Sequence, residues 1–403
     1  MNSGADKRLL TRIVIRNYKS IAACDVRLAQ LSFLVGPNGS GKSNFLDGLR
    51  FVADSLRFSL DHALRDRGGI NEVRRRSSGH PTHFGIRLEF ALPHSRGHYA
   101  FNVCAKPRGG YEVQREECAV TGQSRAVFFS VEAGRVVRSS LQAPPAAAKD
   151  RLYLVNASGI EEFRPLYDSL SSMGFYNLNP NEIKDLQPPD PGELLKRDGS
   201  NIASVISSLA AHAPELKTRI EEYLAKVVPG IGGVDAKTIG PKQTLEFRQD
   251  VRGAKHPWRF LAANMSDGTL RAFGVLVALF QGAGDGSATR RLVGIEEPEI
   301  ALHPAAAGVL TDSLQDAAEH AQVIVTSHSP DLLDNESIPD ESILAVFAEH
   351  GETKVGRLDE AGRSALHDHL YTAGELLRMD QLRPDPVETR INPDQLELFG
   401  EAS

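Results

Sequence analysis

Gly36-Pro37-Asn38-Gly39-Ser40-Gly41-Lys42-Ser43 is the stretch on which the reading of this chain turns. It fits G-x-x-x-x-G-K-[ST] and lies between a continuously apolar run, Leu31-Ser32-Phe33-Leu34-Val35, and a helix-like run from Lys42 to about Ser55. A strand before the loop and a helix after it are the context such a loop requires. Its glycines let the backbone wrap closely enough for N–H groups to reach phosphate oxygens, and the helix N-terminus adds a favourable dipole. Lys42 is placed to bridge β- and γ-phosphates, and the Ser43 hydroxyl to ligate Mg²⁺. A flexible Gly/Ser turn before a helix would not call for Lys-Ser at that place.

Around this loop lie 403 residues, room for two domains or for one large domain carrying an insertion. Apolar residues make up 41% and charged residues 24%, which suits a globular chain with a real core. The 46 basic and 52 acidic residues leave a net charge of −6, excluding a strongly cationic nucleic-acid coat but not a local basic patch. The apolar run at 273–280 is too short to cross a bilayer. The polar start, with Asp6, Lys7 and Arg8, shows no secretory signal. Cys24, Cys104 and Cys118 lack CxxC spacing and support neither a disulfide framework nor a zinc site. A cytoplasmic protein with no membrane attachment is the expectation.

Residues 10–16 and 25–28 alternate apolar and polar as half-buried strands do, whereas 31–35 reads as a strand buried on both faces. Residues 65–80 are polar and basic, and 83–139 read as an antiparallel meander. Helical periodicity dominates 159–228, a strand-like pair follows at 243–249 and 258–261, and then comes a helix over 267–281. Strand 291–296, helix 305–320, strand 322–326 and a short helix after Pro330 complete the pattern. Strand–helix–strand alternation at both ends implies an α/β fold with one parallel-sheet core interrupted by an inserted mixed β/helical lobe. The boundaries expected are 1–64 and 261–370 for the core, 65–260 for the insertion, and 371–403 for a terminal helix and extended tail. No long heptad run is present.

Three further strings carry chemistry. Leu292-Val293-Gly294-Ile295 delivers Glu296 and Glu297 at the C-terminal end of a strand, where ligands bind in α/β sheets. Successive strand positions face opposite ways, so Glu296 can reach Mg²⁺ through its hydration shell while Glu297 orients or deprotonates water. Ser266-Asp267-Gly268-Thr269 reads most simply as a helix N-cap, and its N–H groups with Ser266 also make a second anion site. His328 follows an apolar strand, where it is either a satisfied polar residue or a neutral imidazole beside a phosphate.

In this order the four motifs resemble the ATP-binding-cassette (ABC) class of P-loop NTPases, most closely the SMC-related branch that includes RecF and the OLD (overcoming lysogenization defect) ATPases. The resemblance to Walker A covers residues 36–43, to the signature motif 266–269, to Walker B 292–297, and to the switch histidine His328. Residues 11–20, ending in Asn17-Tyr18-Lys19-Ser20, are similar to the opening strand of that branch, and the Glu-Pro-Glu-x-x-Leu-His-Pro string of 297–304 is similar to OLD-type proteins rather than transporters. The resemblance implies an ABC-type head that binds ATP and Mg²⁺ through Asn38, Gly39, Ser40, Gly41, Lys42 and Ser43, with Ser43 and Glu296 on the metal. Glu297 and His328 are the catalytic residues it implies. Ser266 and Gly268 would close over the nucleotide of a second copy, making a homodimer around ATP. Departures are Glu296 at the usual Walker B aspartate, His303 at the D-loop aspartate, and a Q-loop glutamine for which Gln114 is only one candidate.

The same resemblance implies an ATPase coupled to DNA and to an effector, in antiphage defence or DNA repair. The alternatives are an ATP-gated scaffold with little turnover and, distantly, a transporter subunit. The long interval from Ser43 to Ser266 disfavours a transporter. No D-x-D string follows Ser329, so a nuclease would be a separate polypeptide, docked through 371–379; His367 and His369 read as surface. Arg74-Arg75-Arg76, with Arg65 and Arg67, is either a DNA-phosphate contact or a solvated basic loop. Gln395, Leu396, Leu398 and Phe399 resemble a sliding-clamp docking tail, unless that tail is strapped onto its own body.

Overall fold

The computed structural model describes residues 7–77, 81–122, 126–282, 291–335, 338–393 and 395–400. The alternating N-terminal residues form a hairpin of β1 (Leu10–Tyr18) and β2 (Ile21–Arg27), and β3 (Leu31–Val35) follows with four consecutive buried residues. The meander comprises β4 (His83–Ala91), β5 (Ser95–Ala105), β6 (Tyr111–Gly122), β7 (Ala126–Glu132) and β8 (Arg135–Ser139). Because β4 pairs antiparallel with β1, the first sheet has seven strands in the order β2-β1-β4-β5-β6-β7-β8.

Within the helical stretch lies β9 (Gly174–Tyr176), and β10 (Ile231–Ile239), β11 (Lys242–Gln249) and β12 (Trp258–Leu261) form a separate three-stranded sheet. After β13 (Leu292–Glu296) and β14 (Gln322–Ser327) the chain continues as β15 (Ile343–Glu349) and β16 (Glu352–Arg357). The second large sheet runs β16-β15-β3-β14-β13-β9, parallel throughout except for the antiparallel edge strand β16. Four strands are thus additional to those read from periodicity. Three residues are too few for β9 to show a period, and β10 opens on Ile231-Gly232-Gly233, a poor strand signal. β15 is a plain apolar run and was open to detection, whereas polar β16 is recognisable only through its partner.

Helix Lys42–Arg57 lies between the two large sheets. A Cβ added at Gly48 would stand 3.2 Å from Ile15 Cδ1 of β1, and one at Gly294 of β13 would stand 3.4 Å from Leu46 of the helix. Period-two alternation splits the parallel sheet between two cores. Leu34 and Ile324 face this helix and the seven-stranded sheet, while Phe33, Val323 and Val325 face helices Ile202–His212, Pro214–Val227, Asp267–Phe280 and Ala307–Ala318. The sheet of β1 and β4 runs across residue 64, and β9, from within 65–260, is an edge strand of the parallel sheet.

The tail answers the docking question against the clamp reading. Leu396 and Leu398 pack on Val14 and Ala23, Arg87 donates to the Leu398 carbonyl at 3.0 Å, and the Gly400 amide donates to Glu117 at 2.9 Å. Arg115 stands 4.5 Å over the Phe399 ring. The apolar side chains that a clamp pocket would take are already spent on the chain's own sheet. Among the described residues no helix is long and apolar enough to cross a membrane.

Phe51, in the middle of the sandwiched helix, is fully buried and meets Tyr18 and Phe84 edge-on, with centroids 6.0 and 5.3 Å away. Phe51→Ala is expected to cost about 3–5 kcal/mol in urea unfolding. Val387→Ala, at an 84% exposed position, should change stability by less than about 0.5 kcal/mol.

Candidate functional site

Past Val35 the chain turns through Gly39 (φ 77°) and Gly41 (φ 101°) into helix Lys42–Arg57, whose N-cap, Gly41, offers no side chain to its amides. Glycine is required at 41 twice over, by the left-handed φ and because an added Cβ would fall 1.9 Å from Thr353 Oγ1. The Asn44 amide donates to the Gly41 carbonyl at 3.0 Å, and the amides of Lys42 and Ser43 remain for a ligand. Lys42 is buried, and its Nζ donates to the carbonyls of Gly36 (2.9 Å) and Pro37 (3.1 Å). Burial lowers its proton affinity, and the negative charges of Glu297 and Glu299 oppose that shift.

Parallel pairing sets Glu296 of β13 beside Thr326 of β14. Glu297 then leaves the strand with φ 45°, left-handed for a non-glycine residue, and its amide donates to the Thr326 carbonyl at 3.0 Å. Its carboxylate comes 3.2 Å from His328 Nδ1. Glu299 accepts from Ser327 Oγ (2.7 Å) and from the His328 amide (3.3 Å). Ser40 Oγ and Glu299 Oε2 are buried without a hydrogen-bond partner, and His328 Nδ1, although 3.2 Å from Glu297, makes no hydrogen bond of good geometry to it, as befits a site whose partners come from outside the protein.

Glu296 faces elsewhere. It accepts from Arg197 at 2.7 Å and, with Ser43, Asn44, Lys19 and Asp47, lines a cavity of about 240 Å³. A hydroxyl and a carboxylate on one small cavity suit a hard cation such as Mg²⁺, which keeps waters and phosphate oxygens as its other ligands. No cluster of three or more His, Cys, Asp or Glu poised for a metal occurs among the described residues.

Ser266 caps helix Asp267–Phe280, accepting from the Thr269 amide at 3.2 Å and sharing a 2.8 Å hydrogen bond with Thr269 Oγ1. Ser266 is exposed, and neither it nor Gly268 hydrogen-bonds to residues 36–43. Gly268 instead abuts the Ala301 carbonyl, 2.3 Å from an added Cβ. One turn on, buried Arg271 donates to the carbonyls of Leu178 (2.7 Å), Glu296 (3.2 Å) and Glu297 (3.1 Å), tying this helix to the end of β13. Burial works against its charge, and Glu299, Glu297 and Glu296 offset that cost. A lone cation in an apolar helix was the signal available for Arg271. Arg197, in a polar loop, offered none.

Two sequence candidates stand apart from the site. Gln114 is exposed on β6 and accepts from Asn102, whereas Asn177 follows β9, the strand beside β13. The 74–76 cluster, open to reading as a DNA contact or as a solvated basic loop, is paired within the chain. Arg75 is bound to Glu352, Arg76 to Glu72, and Arg74 to Asn71 and the Pro81 carbonyl. Arg67 is buried between Asp47 and Asp54.

A family model described as "AAA domain, putative AbiEii toxin, Type IV TA system" matches residues 31–99 and 121–334. DNA replication and repair protein RecF of Vibrio cholerae is 42% identical over 50 residues, and that of Vibrio parahaemolyticus 40%. These matches span 12% of this chain and 14% of the length of those relatives. Among solved structures, the SMC head bound to the C-winged helix domain of ScpA aligns with a TM-score of 0.52 at 16% identity, covering 86% of this chain and 96% of that one. That likeness is one of fold.

Removing the cation on Glu296 frees a carboxylate that could hold Mg²⁺. Arg197→Ala is expected to lower the Mg²⁺ concentration needed for half-maximal binding of a fluorescent ATP analogue by about threefold, the scale of a partly exposed ion pair. An unchanged Mg²⁺ requirement would show that the two cations do not compete.

Proposed function

The chain belongs to the AAA-domain family whose model matches it, within the SMC/RecF-like ABC class of ATPases, and from that premise we propose that it binds and hydrolyses ATP as a two-fold homodimer. The observation that carries this reading is the convergence of Lys42, Glu297 and His328 at the carboxyl ends of adjacent parallel strands, with Glu297 3.2 Å from His328 and its charge reaching Lys42. Ser43 and Glu296 would hold Mg²⁺, which supplies charge neutralisation on the β- and γ-phosphates. Lys42 exchanges its two carbonyl partners for phosphate oxygens. Glu297 takes a proton from the attacking water, and His328 hydrogen-bonds where negative charge develops.

One chain presents one helix end capped by Ser266, exposed and turned to no phosphate site of its own. A two-fold axis would set that end, with Gly268, over the nucleotide of the second copy, and both sites would be completed alike. ATP then acts as interfacial glue. The likeness to DNA replication and repair protein RecF supports coupling to DNA in a repair setting, and the same reading extends to a separate effector such as a nuclease and to antiphage defence. DNA would be met at a surface other than the internally paired 74–76 arginines.

Glu297→Gln should retain ATP binding, lower turnover by about 10²–10⁴-fold and accumulate as an ATP-dependent dimer in light scattering. Lys42→Ala should lose binding. A Glu297→Gln protein that stays monomeric with saturating ATP would sink the dimer. Wild-type dimerisation without turnover, with or without DNA, would mark a nucleotide-gated scaffold instead.

A further inference from the structure

β16 lies at the edge of the parallel sheet, outside every motif discussed so far, yet it touches the phosphate-binding loop directly. Thr353 is 2% exposed, and its Oγ1 donates to the Ser40 carbonyl at 2.9 Å. With its proton so placed, the same oxygen can only accept from Ser20 Oγ, 2.7 Å away, and Ser20 Oγ in turn accepts from Asn44 Nδ2 at 2.6 Å. Asn44, Ser20, Thr353 and Ser40 thus form one directed chain of hydrogen bonds behind the loop, each hydroxyl donating once. The Thr353 amide also donates to the Ser20 carbonyl at 2.9 Å, and neighbouring Glu352 is held by Arg75.

In a trans peptide the carbonyl and the following N–H point in opposite directions. A hydrogen bond that draws the Ser40 carbonyl back toward β16 therefore turns the Gly41 N–H forward, into the cradle. We propose that Thr353 is a positioning residue for nucleotide binding: its hydroxyl holds the Ser40–Gly41 peptide so that the Gly41 amide is presented to phosphate. This rests on the nucleotide-binding reading above and extends it to a strand that no motif marks. Ser20, within the Asn-Tyr-Lys-Ser string, is the link that stops the Thr353 hydroxyl from turning elsewhere.

The test compares Thr353→Val, which keeps the shape and removes the hydroxyl, with Thr353→Ser, which keeps the hydroxyl. Two readouts are followed: Mg-ATP affinity by calorimetry, and hydrogen–deuterium exchange of the 36–42 segment without nucleotide. Thr353→Val is expected to weaken Mg-ATP about tenfold, the scale of one lost buried hydrogen bond, and to speed exchange in the loop. Thr353→Ser should stay within about threefold of wild type on the same scale. Equal binding and equal exchange in Thr353→Val and wild type would overturn the proposal. Equal losses in both variants would overturn it too, since they would assign Thr353 to packing alone. If wild type bound no nucleotide, the functional reading would fail, while loop exchange would still report whether the hydroxyl holds the peptide.

Discussion

Backbone hydrogen bonds join β3, β14 and β13 in parallel register, with Ser327 beside Val35 and Glu296 beside Thr326. An N-terminal segment and two from beyond residue 290 therefore leave the sheet together at its carboxyl end. The phosphate-binding loop, Glu297 and His328 are neighbours because of this pairing and for no local reason. Both faces of these strands are buried, and a slip of one residue would exchange Leu34 and Ile324 for Phe33 and Val325 between two different cores. The register that places the chemistry is thus enforced by packing on both sides. A site built only on loops would lack that enforcement.

The groups brought together are poorly balanced against one another. Lys42 is buried on two backbone carbonyls, and Arg271 is buried on three. Meanwhile Glu299 Oε2 and Ser40 Oγ, both buried, find no partner. Unpaired polar atoms in a low dielectric reduce stability; Ser55 Oγ and Ser169 Oγ are others, but those of Glu299 and Ser40 lie at the phosphate-binding loop. Arg271 adds a mechanical consequence. By holding the carbonyls of Glu296 and Glu297 from a helix whose capped end is exposed, it makes the orientation of that end and the geometry of the two carboxylates parts of one hydrogen-bonded unit.

What could be read from the sequence follows from the range of each interaction. The loop at 36–43 and the acids at 296–297 are local patterns, a turn that needs glycine and a strand that ends in charge, so their places in the fold were legible. Arg75 was not: its partner Glu352 lies 277 residues away, and without it an Arg-Arg-Arg string reads as an open basic face. The tail was left open between a partner and its own body for a different reason. Alternating Leu396, Leu398 and Phe399 suit an apolar pocket on a partner, and they equally suit the chain's own sheet, where Gly85 leaves room for Leu398. Periodicity cannot distinguish one apolar acceptor from another. Arg197 and Thr353 carry no pattern at all, because their importance lies entirely in what they touch.

The two sheets meet behind the phosphate-binding loop. Ser20 ends the β1–β2 turn of the seven-stranded sheet, Thr353 belongs to the edge strand of the parallel sheet, and their hydroxyls are 2.7 Å apart. Arg75, whose amide donates to the Asn17 carbonyl of β1 at 2.8 Å, bonds Glu352 at the same junction. A rotation of one sheet against the other would have to break or drag this polar contact, and its nearest backbone neighbour is the Ser40–Gly41 peptide. Helix Lys42–Arg57, wedged between both sheets, starts at that peptide. The loop is therefore a point where relative motion of the two halves and occupancy by a phosphate act on the same few atoms.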